Sequence, residues 1–534
     1  MGSRIGPQGP AACFTLGFLL MSGVLAGGCV NKDGEALPPG LMTFPIAIEL
    51  SDPTDGQSGY AFLANSNFAL QYDTATLQSY DLDVMNAAID STGAFVGIGC
   101  QGAGFLNICL QRAVTDGIRD ECIPEEGETK NCECDPDDDP DCTACDCDPE
   151  MTTDLQCDPV PADRCSVIPE QLAVRDQGAL LQTVIAPGLL VSEVEIGSFA
   201  DGLALSTNGQ RLYLPVRSEA NLTYVDVNAQ GQLNCGSGFD VERQSCTPRY
   251  RTGNLVQSDP EFPVELPPDP VDVYAGDLSD FTDAADMADY GYILMAHRDG
   301  AASLFFDPDP GAEDDVPELA ASIEDLAIEQ VTITVEPDAD KAWISSGLTN
   351  QVVRVGVSVG TIDQDGQDIL FGSLFDAGTL FVTGLDRGDV MRDIQFDTRE
   401  NAPDSGLAYL LSRSPESLVV ARRDVAGEQL NVLDQISICR GPSRLKLVEI
   451  QTNSRGPVLT AWVSCFNQRQ VEIIDLELFQ PITVLTNISG SFEFSVDVAR
   501  SRLYVADFSI SVIRVADITP LIDCLDAQVG GGGG

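Results

Sequence analysis

The chain has 534 residues, 83 acidic side chains against 29 basic ones, and a formal net charge of −54. A field of that sign repels polyanions, which excludes DNA or RNA as a partner and argues against binding to anionic lipid surfaces. Hydrophobic residues make up 43%, enough for a large core, and so dense a surface charge suits a salty, screening medium.

Residues 1–28 read as a lipoprotein signal peptide. Arg4 is their only charge, an uncharged apolar stretch runs from Phe14 to Ala26, and small residues lead to Cys29. LAGGC at 25–29 resembles a bacterial lipobox, with its Leu one position further back than usual. The Cys29 thiol is therefore the expected lipidation site. Val30 stands where an Asp would retain a lipoprotein in the inner membrane, which favours the outer membrane. No other stretch approaches the roughly 18 apolar residues that span a bilayer, so the lipid is the expected membrane contact. Residues 29–44 then form a tether.

Residues 45–120 are expected to hold the first blade-like unit and the start of an insertion. The insertion proper, 121–165, has eight cysteines, sixteen acidic and two basic residues, and its centre, CECDPDDDPDCTACDCDPE, has no apolar side chains for a core beyond its cysteines and Ala144. Such a segment is ordered by covalent or metal staples. A disulfide-knotted acidic loop is the expected state, and eight cysteines allow 105 pairings. Zinc on Cys132, Cys134, Cys142 and Cys145 fits poorly because the spacing is irregular. Calcium suits the oxygen ligands of Asp135, Asp137, Asp138, Asp139 and Asp141, although the run lacks the EF-hand glycine and terminal Glu. It is the one cofactor the sequence suggests.

Residues 166–524 should supply the remaining units, and 525–534 a flexible tail. A pattern returns along this length: RLYLPVRSEANLTYVDV at 211–227, TAWVSCFNQRQVEIIDL at 460–476 and RLYVADFSISVIRVADI at 502–518. An aromatic (Tyr213, Trp462, Tyr504) opens one strand, and an Asp thirteen residues later (Asp226, Asp475, Asp517) ends the next. The aromatics are expected in the core, and the Asp is expected to cap the following turn. Weaker copies run from Phe68 to Asp81, Leu294 to Asp307 and Leu411 to Asp424, and Trp343 heads one with Gly356 in place of the Asp. Two strands and a turn cannot bury both faces alone, so the units must stack. Asn208-Gly209 predicts a hairpin turn ahead of Arg211. The fold expected is all-β, a seven-bladed β-propeller with a Cys-rich irregular insertion; six or eight blades also fit. The last blade's outer strand is either PLIDCLDAQV at 520–529 or PIAIEL at 45–50.

These units resemble the YVTN-type repeat of bacterial seven-bladed propellers, with Arg502, Leu503, Tyr504, Val505 and Asp517 in the family positions. The resemblance covers about residues 45–520 outside the insertion, although the third and fifth blades fit poorly. It implies a fold and leaves function open, since such propellers serve as scaffolds, binders and enzymes.

Seventeen cysteines point to an oxidising compartment. The expected local pairs are Cys100 with Cys109, Cys235 with Cys246 and Cys439 with Cys465; nine of the cysteines after Cys29, Cys524 among them, are left without an assigned partner, an odd number that leaves one thiol free or one pairing wrong. The single histidine, His297, sits where a strand turns and is expected to be a turn residue, and no G-x-S-x-G elbow accompanies it. The function expected is non-catalytic binding or scaffolding at the bacterial cell envelope, with an envelope protein or glycan as partner. Two alternatives stand beside it. One is a lactonase-like hydrolase with a divalent metal in the central channel, on first-strand carboxylates such as Asp201, Asp338 or Asp497. The other is a calcium-dependent adhesin acting through the insertion.

Overall fold

The computed structural model describes residues 40–91, 106–108, 182–184 and 189–530, short internal stretches excepted. Nearly all of it is β-structure in antiparallel meanders, arranged like the blades of a propeller. The first meander is β1 (Pro45–Leu50), β2 (Tyr60–Asn65) and β3 (Ala75–Asp81), and helix α1 (Leu82–Ser91) follows it. Its fourth strand arrives much later. Two short strands intervene, β4 (Leu106–Ile108) and β5 (Gln182–Val184), before β6 (Leu190–Ile196) pairs with β3. The insertion therefore lies inside the first meander, not between two of them, and the described residues nearest to it on either side are Ile108 and Gln182.

The second meander is β7 (Ala204–Leu205), β8 (Arg211–Val216), β9 (Asn221–Val227) and β10 (Leu233–Asn234). Short β11 (Gln244–Ser245) and β12 (Arg251–Thr252) add to β6 and β9. Next come β13 (Pro270–Asp277), β14 (Gly291–His297), β15 (Ala301–Asp307) and β16 (Glu318–Ile323). A continuous eight-stranded sheet holds β17 (Gln330–Val335), β18 (Lys341–Ser346), β19 (Gln351–Gln364) and β20 (Gln367–Thr383), then β21 (Val390–Phe396), β22 (Leu407–Ser414), β23 (Glu416–Arg423) and β24 (Gln429–Ser437). Its halves are joined where β20 pairs with β24 in parallel. The series ends with β25 (Pro442–Thr452), β26 (Gly456–Cys465), β27 (Gln470–Asp475) and β28 (Gln480–Thr486), then β29 (Ser491–Asp497), β30 (Arg502–Asp507) and β31 (Val512–Asp517).

The outer strand beside β31 is neither of the two expected. PIAIEL is β1, and residues 520–529 lie in helix α2 (Thr519–Gly530), with Leu525 buried where a flexible tail was expected. β4 takes the position instead. The first strands touch in succession, β13 to β17 to β21 to β25 to β29, and β29 returns to β1, which meets β7. The core lies between neighbouring meanders: Ile48, Leu63 and Tyr80 pack with Tyr504, Ile513 and Val515, for example. No helix of the described residues is long and apolar enough to cross a membrane.

The sequence repeat is the hairpin of second and third strands. Tyr213 pairs with Tyr224, Trp462 with Ile473 and Tyr504 with Val515, each eleven residues on, and all three aromatics are buried. Trp343 and Trp462 are core residues whose indole N–H groups are satisfied, by Glu336 Oε2 at 3.2 Å and Thr460 Oγ1 at 2.8 Å. The weaker copies are displaced. Phe62, not Phe68, holds the aromatic position on β2, because the turn before β3 is longer. Ile293 replaces Leu294 for the same reason, and Tyr409 replaces Leu411 on β22. Asp424 lies outside the described residues. The expected capping holds for Asp475, which accepts from Glu477 N and Leu478 N at 2.9 and 3.0 Å, and for Asp81 and Asp517. Asp226 and Asp307 instead take up the buried Arg211. Asn208-Gly209 makes the predicted turn, with Gly209 at φ 72°, where a side chain would be strained.

Candidate functional site

First strands carry a register shift near their start: Pro45/Ala47, Pro270/Asp272, Gln330/Ile333, Met391/Asp393, Pro442/Arg444 and Ser491/Glu493. Such a bulge re-aims the side chain that follows it. In four strands that residue is charged: Asp272, Asp393, Arg444 and Glu493. Strand alternation then places Gln395 and Lys446, two residues further on, on the same face. With Glu49 they line a cavity of about 130 Å³ where the first strands meet.

This cluster is internally paired. Arg444 Nε meets Glu493 Oε2 at 2.6 Å, and its Nη2 reaches Asp272 Oδ1 at 3.4 Å. Lys446 Nζ lies 3.7 Å from Glu49 and 3.6 Å from Glu493, and donates to Ser495 Oγ at 3.2 Å. The acids also tie meanders together: Asp272 Oδ2 accepts from Ile333 N at 3.0 Å, and Asp393 Oδ2 from Leu445 N at 2.8 Å. Burial pushes Asp272 and Glu49 above the usual carboxylate range, and Asp393 up to about 6, with Arg444 only partly offsetting the effect on the two aspartates. Arg444 moves the other way: burial lowers it, but Asp272, Glu493 and Asp393 together hold it firmly charged.

The donor set does not fit a divalent cation. Arg444 joins Asp272 to Glu493, and among the described residues no group of three or more His, Cys, Asp or Glu could hold a metal ion. The acids chosen from sequence are elsewhere. Asp497 ends β29, where it accepts from Arg500 N at 2.8 Å and pairs with the Arg500 guanidinium. Asp201 pairs with Arg217 at 2.9 Å, and Asp338 lies outside the described residues. Alternation of polar and apolar residues cannot reveal a bulge, so the charged residues aimed by it were missed.

Cys29 and the candidate calcium ligands Asp135, Asp137, Asp138, Asp139 and Asp141 also lie outside the described residues. Two of the three expected pairs, Cys235–Cys246 and Cys439–Cys465, are disulfides. The third differs. Cys109, next in sequence after β4, lies outside the described residues, as does Cys100. The expected bond between Cys100 and Cys109 is therefore not among the described disulfides. Cys524, one of the cysteines to which the sequence assigns no partner, is disulfide-bonded.

His297 ends β14. Its Nδ1 lies 3.3 Å from Pro268 O and its Nε2 3.0 Å from Ser303 Oγ, so a neutral ring donates to the first and accepts from the second. Burial lowers its pKa to about 4. The folded state then refuses a proton that the unfolded chain accepts. Its contribution is complete above pH 6.5 and is lost as pH falls through about 4, by up to about 3 kcal/mol. Because the chain has one histidine, its ring resonances in an NMR titration are unambiguous. They are expected to stay at the neutral position down to pH 5; a midpoint near 6.5 would contradict the burial argument.

Beside the charged cavity, a cleft of about 1190 Å³ opens between the first two meanders. Glu49, Phe62, Leu203 and Val273 help line it, with the turns Ser206–Gln210 and Asn228–Gln232 at its rim. Tyr60 reaches across to that second turn: its ring packs on Gly231, and its hydroxyl lies 3.5 Å from Ala229 O. Of the lining residues only Glu49 and Asp226 are charged, and both are paired with cations, Lys446 and Arg211.

No family model and no curated protein matches this chain. Among solved structures it is similar to a periplasmic gluconolactonase from Pseudomonas aeruginosa, 16% identical over 56% of this chain and 72% of that one, with a TM-score of 0.34. A hydrazine synthase from Kuenenia stuttgartiensis is 9% identical over 62% and 86%, with a TM-score of 0.38. A functionally unknown protein from Desulfotomaculum acetoxidans is 12% identical over 60% and 82%, with a TM-score of 0.36. Likeness at this level carries nothing about what this chain binds or transforms.

Proposed function

We propose that this protein is an exported lipoprotein, anchored through Cys29 to the outer membrane, whose seven-bladed propeller of the YVTN-repeat type serves as a non-catalytic binding or scaffold module. The carrying observation is that Asp272, Glu493 and Glu49 of the central cavity are already paired with Arg444 and Lys446, and Asp393 with backbone N–H groups, while a broad, charge-poor cleft stands open beside them. A channel filled by its own ion pairs suits a rigid frame, and a wide polar cleft suits an envelope protein or glycan. Three disulfide-bonded cysteine sites outside the insertion support an oxidising compartment. The closed circuit of first strands and the seven hairpin repeats support the blade count.

One experiment tests both halves of this reading. Mass spectrometry of the full-length protein extracted from membranes should give a mature chain beginning at an acylated Cys29 and, under native conditions, no chelator-sensitive metal bound to the propeller. Turnover of glucono-lactone by the same sample should match the buffer blank. Chelator-sensitive lactone hydrolysis that Asp272→Asn abolishes would overturn the non-catalytic reading in favour of a channel hydrolase. An unacylated chain would overturn the anchor alone.

A further inference from the structure

We infer that Arg392 and Arg413 form a binding site for the oxyanion of a small ligand, a carboxylate or a phosphate, at the end of the ring where the first strands begin. Arg392 is the extra residue of the β21 bulge: Met391 pairs with Ser412 and Asp393 with Leu411, leaving Arg392 between them. The matching bulge residues of β1, β13, β25 and β29 are Ile46, Val271, Ser443 and Phe492, so a cation is not what this backbone feature requires.

The surroundings of Arg392 do not compensate it. Its Nε has no contact with solvent and no acceptor, and among the described residues its guanidinium makes no ion pair or hydrogen bond. Among the described residues the charges that act on it most are Arg413 and Arg444, opposed by Asp393, with Arg298 after them. Burial and these like charges lower its pKa to about 10. Asp393 is itself committed to Leu445 N and Ile394 N. Arg413, exposed near the end of the partner strand β22, likewise has no ion-pair partner among the described residues.

Other arginines at this end are treated differently. Arg217 pairs with Asp201 and Asp269, and Arg298 lies within 3.9 Å of Asp269 and Glu329. On a chain with 83 acids and 29 bases, no carboxylate among the described residues pairs with Arg392, and holding its buried Nε unpaired is costly to the free protein. A ligand oxyanion recovers that cost, because a guanidinium fork binds carboxylate or phosphate through charge-assisted, directional hydrogen bonds.

The test is calorimetric titration of full-length protein with inorganic phosphate and, separately, with citrate, alongside thermal unfolding in buffer free of both. Saturable binding of one of them is expected, and which one binds distinguishes a phosphate from a carboxylate ligand. Arg392→Met should weaken it at least about tenfold and leave Tm in the anion-free buffer unchanged or raised. A structural arginine would show the reverse, a lowered Tm with the titration unaltered, and that result overturns the proposal. So would the absence of saturable binding to both probes, or equal binding by wild type and Arg392→Met. Arg413→Gln, at an exposed position, supplies a second variant expected to weaken the same titration.

Discussion

Arg211→Met is expected to destabilise the fold by about 3–5 kcal/mol at neutral pH, read as a lowered midpoint in urea. Arg211 is fully buried, and it carries the contact between the second and third meanders. Its Nε donates to Asp226 at 2.6 Å, its Nη1 to both oxygens of Asp307 at 2.8 and 2.9 Å, and its Nη2 to Ala312 O at 2.9 Å. The guanidinium also lies 4.8 Å from the centre of the Tyr224 ring. Burial raises the pKa of both acids even with Arg211 present, so desolvation already weighs more on them than the attraction relieves. Remove the cation and two carboxylates remain in a dry interface, with Tyr213 still donating to Asp307 at 2.6 Å. Adding Asp307→Asn to Arg211→Met should recover part of the loss, because the second change removes the stranded charge. If the single variant costs less than about 1 kcal/mol, the interface does not depend on this network.

Arg444→Met should cost a similar 3–5 kcal/mol above pH 7, but with a distinct pH signature. Its loss leaves Asp272, Asp393 and Glu493 facing one another with Lys446 alone to balance them. Asp393 sits at about 6 with Arg444 in place, and without it Asp272 and Asp393 shift further up. Acids raised in the folded state hold protons that the unfolded chain has released, so the fold gains as pH falls. The deficit of the variant should therefore shrink between pH 7 and pH 5, where wild type and variant converge. A deficit independent of pH would mean that Arg444 acts by packing, not charge. In the wild type, Asp393 and His297 oppose each other: one favours folding as pH drops from 6, the other disfavours it from 6.5 downward.

Much of the fold was legible because tight turns preserve spacing. Where the hairpin loop keeps its length, the aromatic and its cross-strand partner stand eleven residues apart, as Tyr213, Trp343, Tyr409, Trp462 and Tyr504 all do. A fixed step fails where the loop grows: Phe62 finds its partner seventeen residues on and Ile293 twelve, and the step landed on Phe68 and Leu294 instead. Tyr409 was missed for another reason, since thirteen residues on stands Arg422, not an Asp. The disulfides Cys235–Cys246 and Cys439–Cys465 were legible because proximity in sequence and a shared meander bring those thiols together. The charged cavity was not. Its members come from separate first strands and owe their direction to bulges, and a bulge leaves no mark on composition or alternation.

One strand of three residues has a reach out of proportion to its size. β4 belongs to the early part of the chain, yet Ile108 pairs with Ile513 beside the last hairpin, some 400 residues later. Closing so long a loop adds little to the free-energy cost of a shorter one, because the entropy grows only logarithmically. The burden falls on time. The first meander waits for β6 beyond the insertion, and the last waits for a strand made long before it. A nascent chain halted upstream of Val512 would carry an unclasped edge at each end, so the final hairpin to be synthesised decides when the whole circle stops being an open, adhesive ribbon.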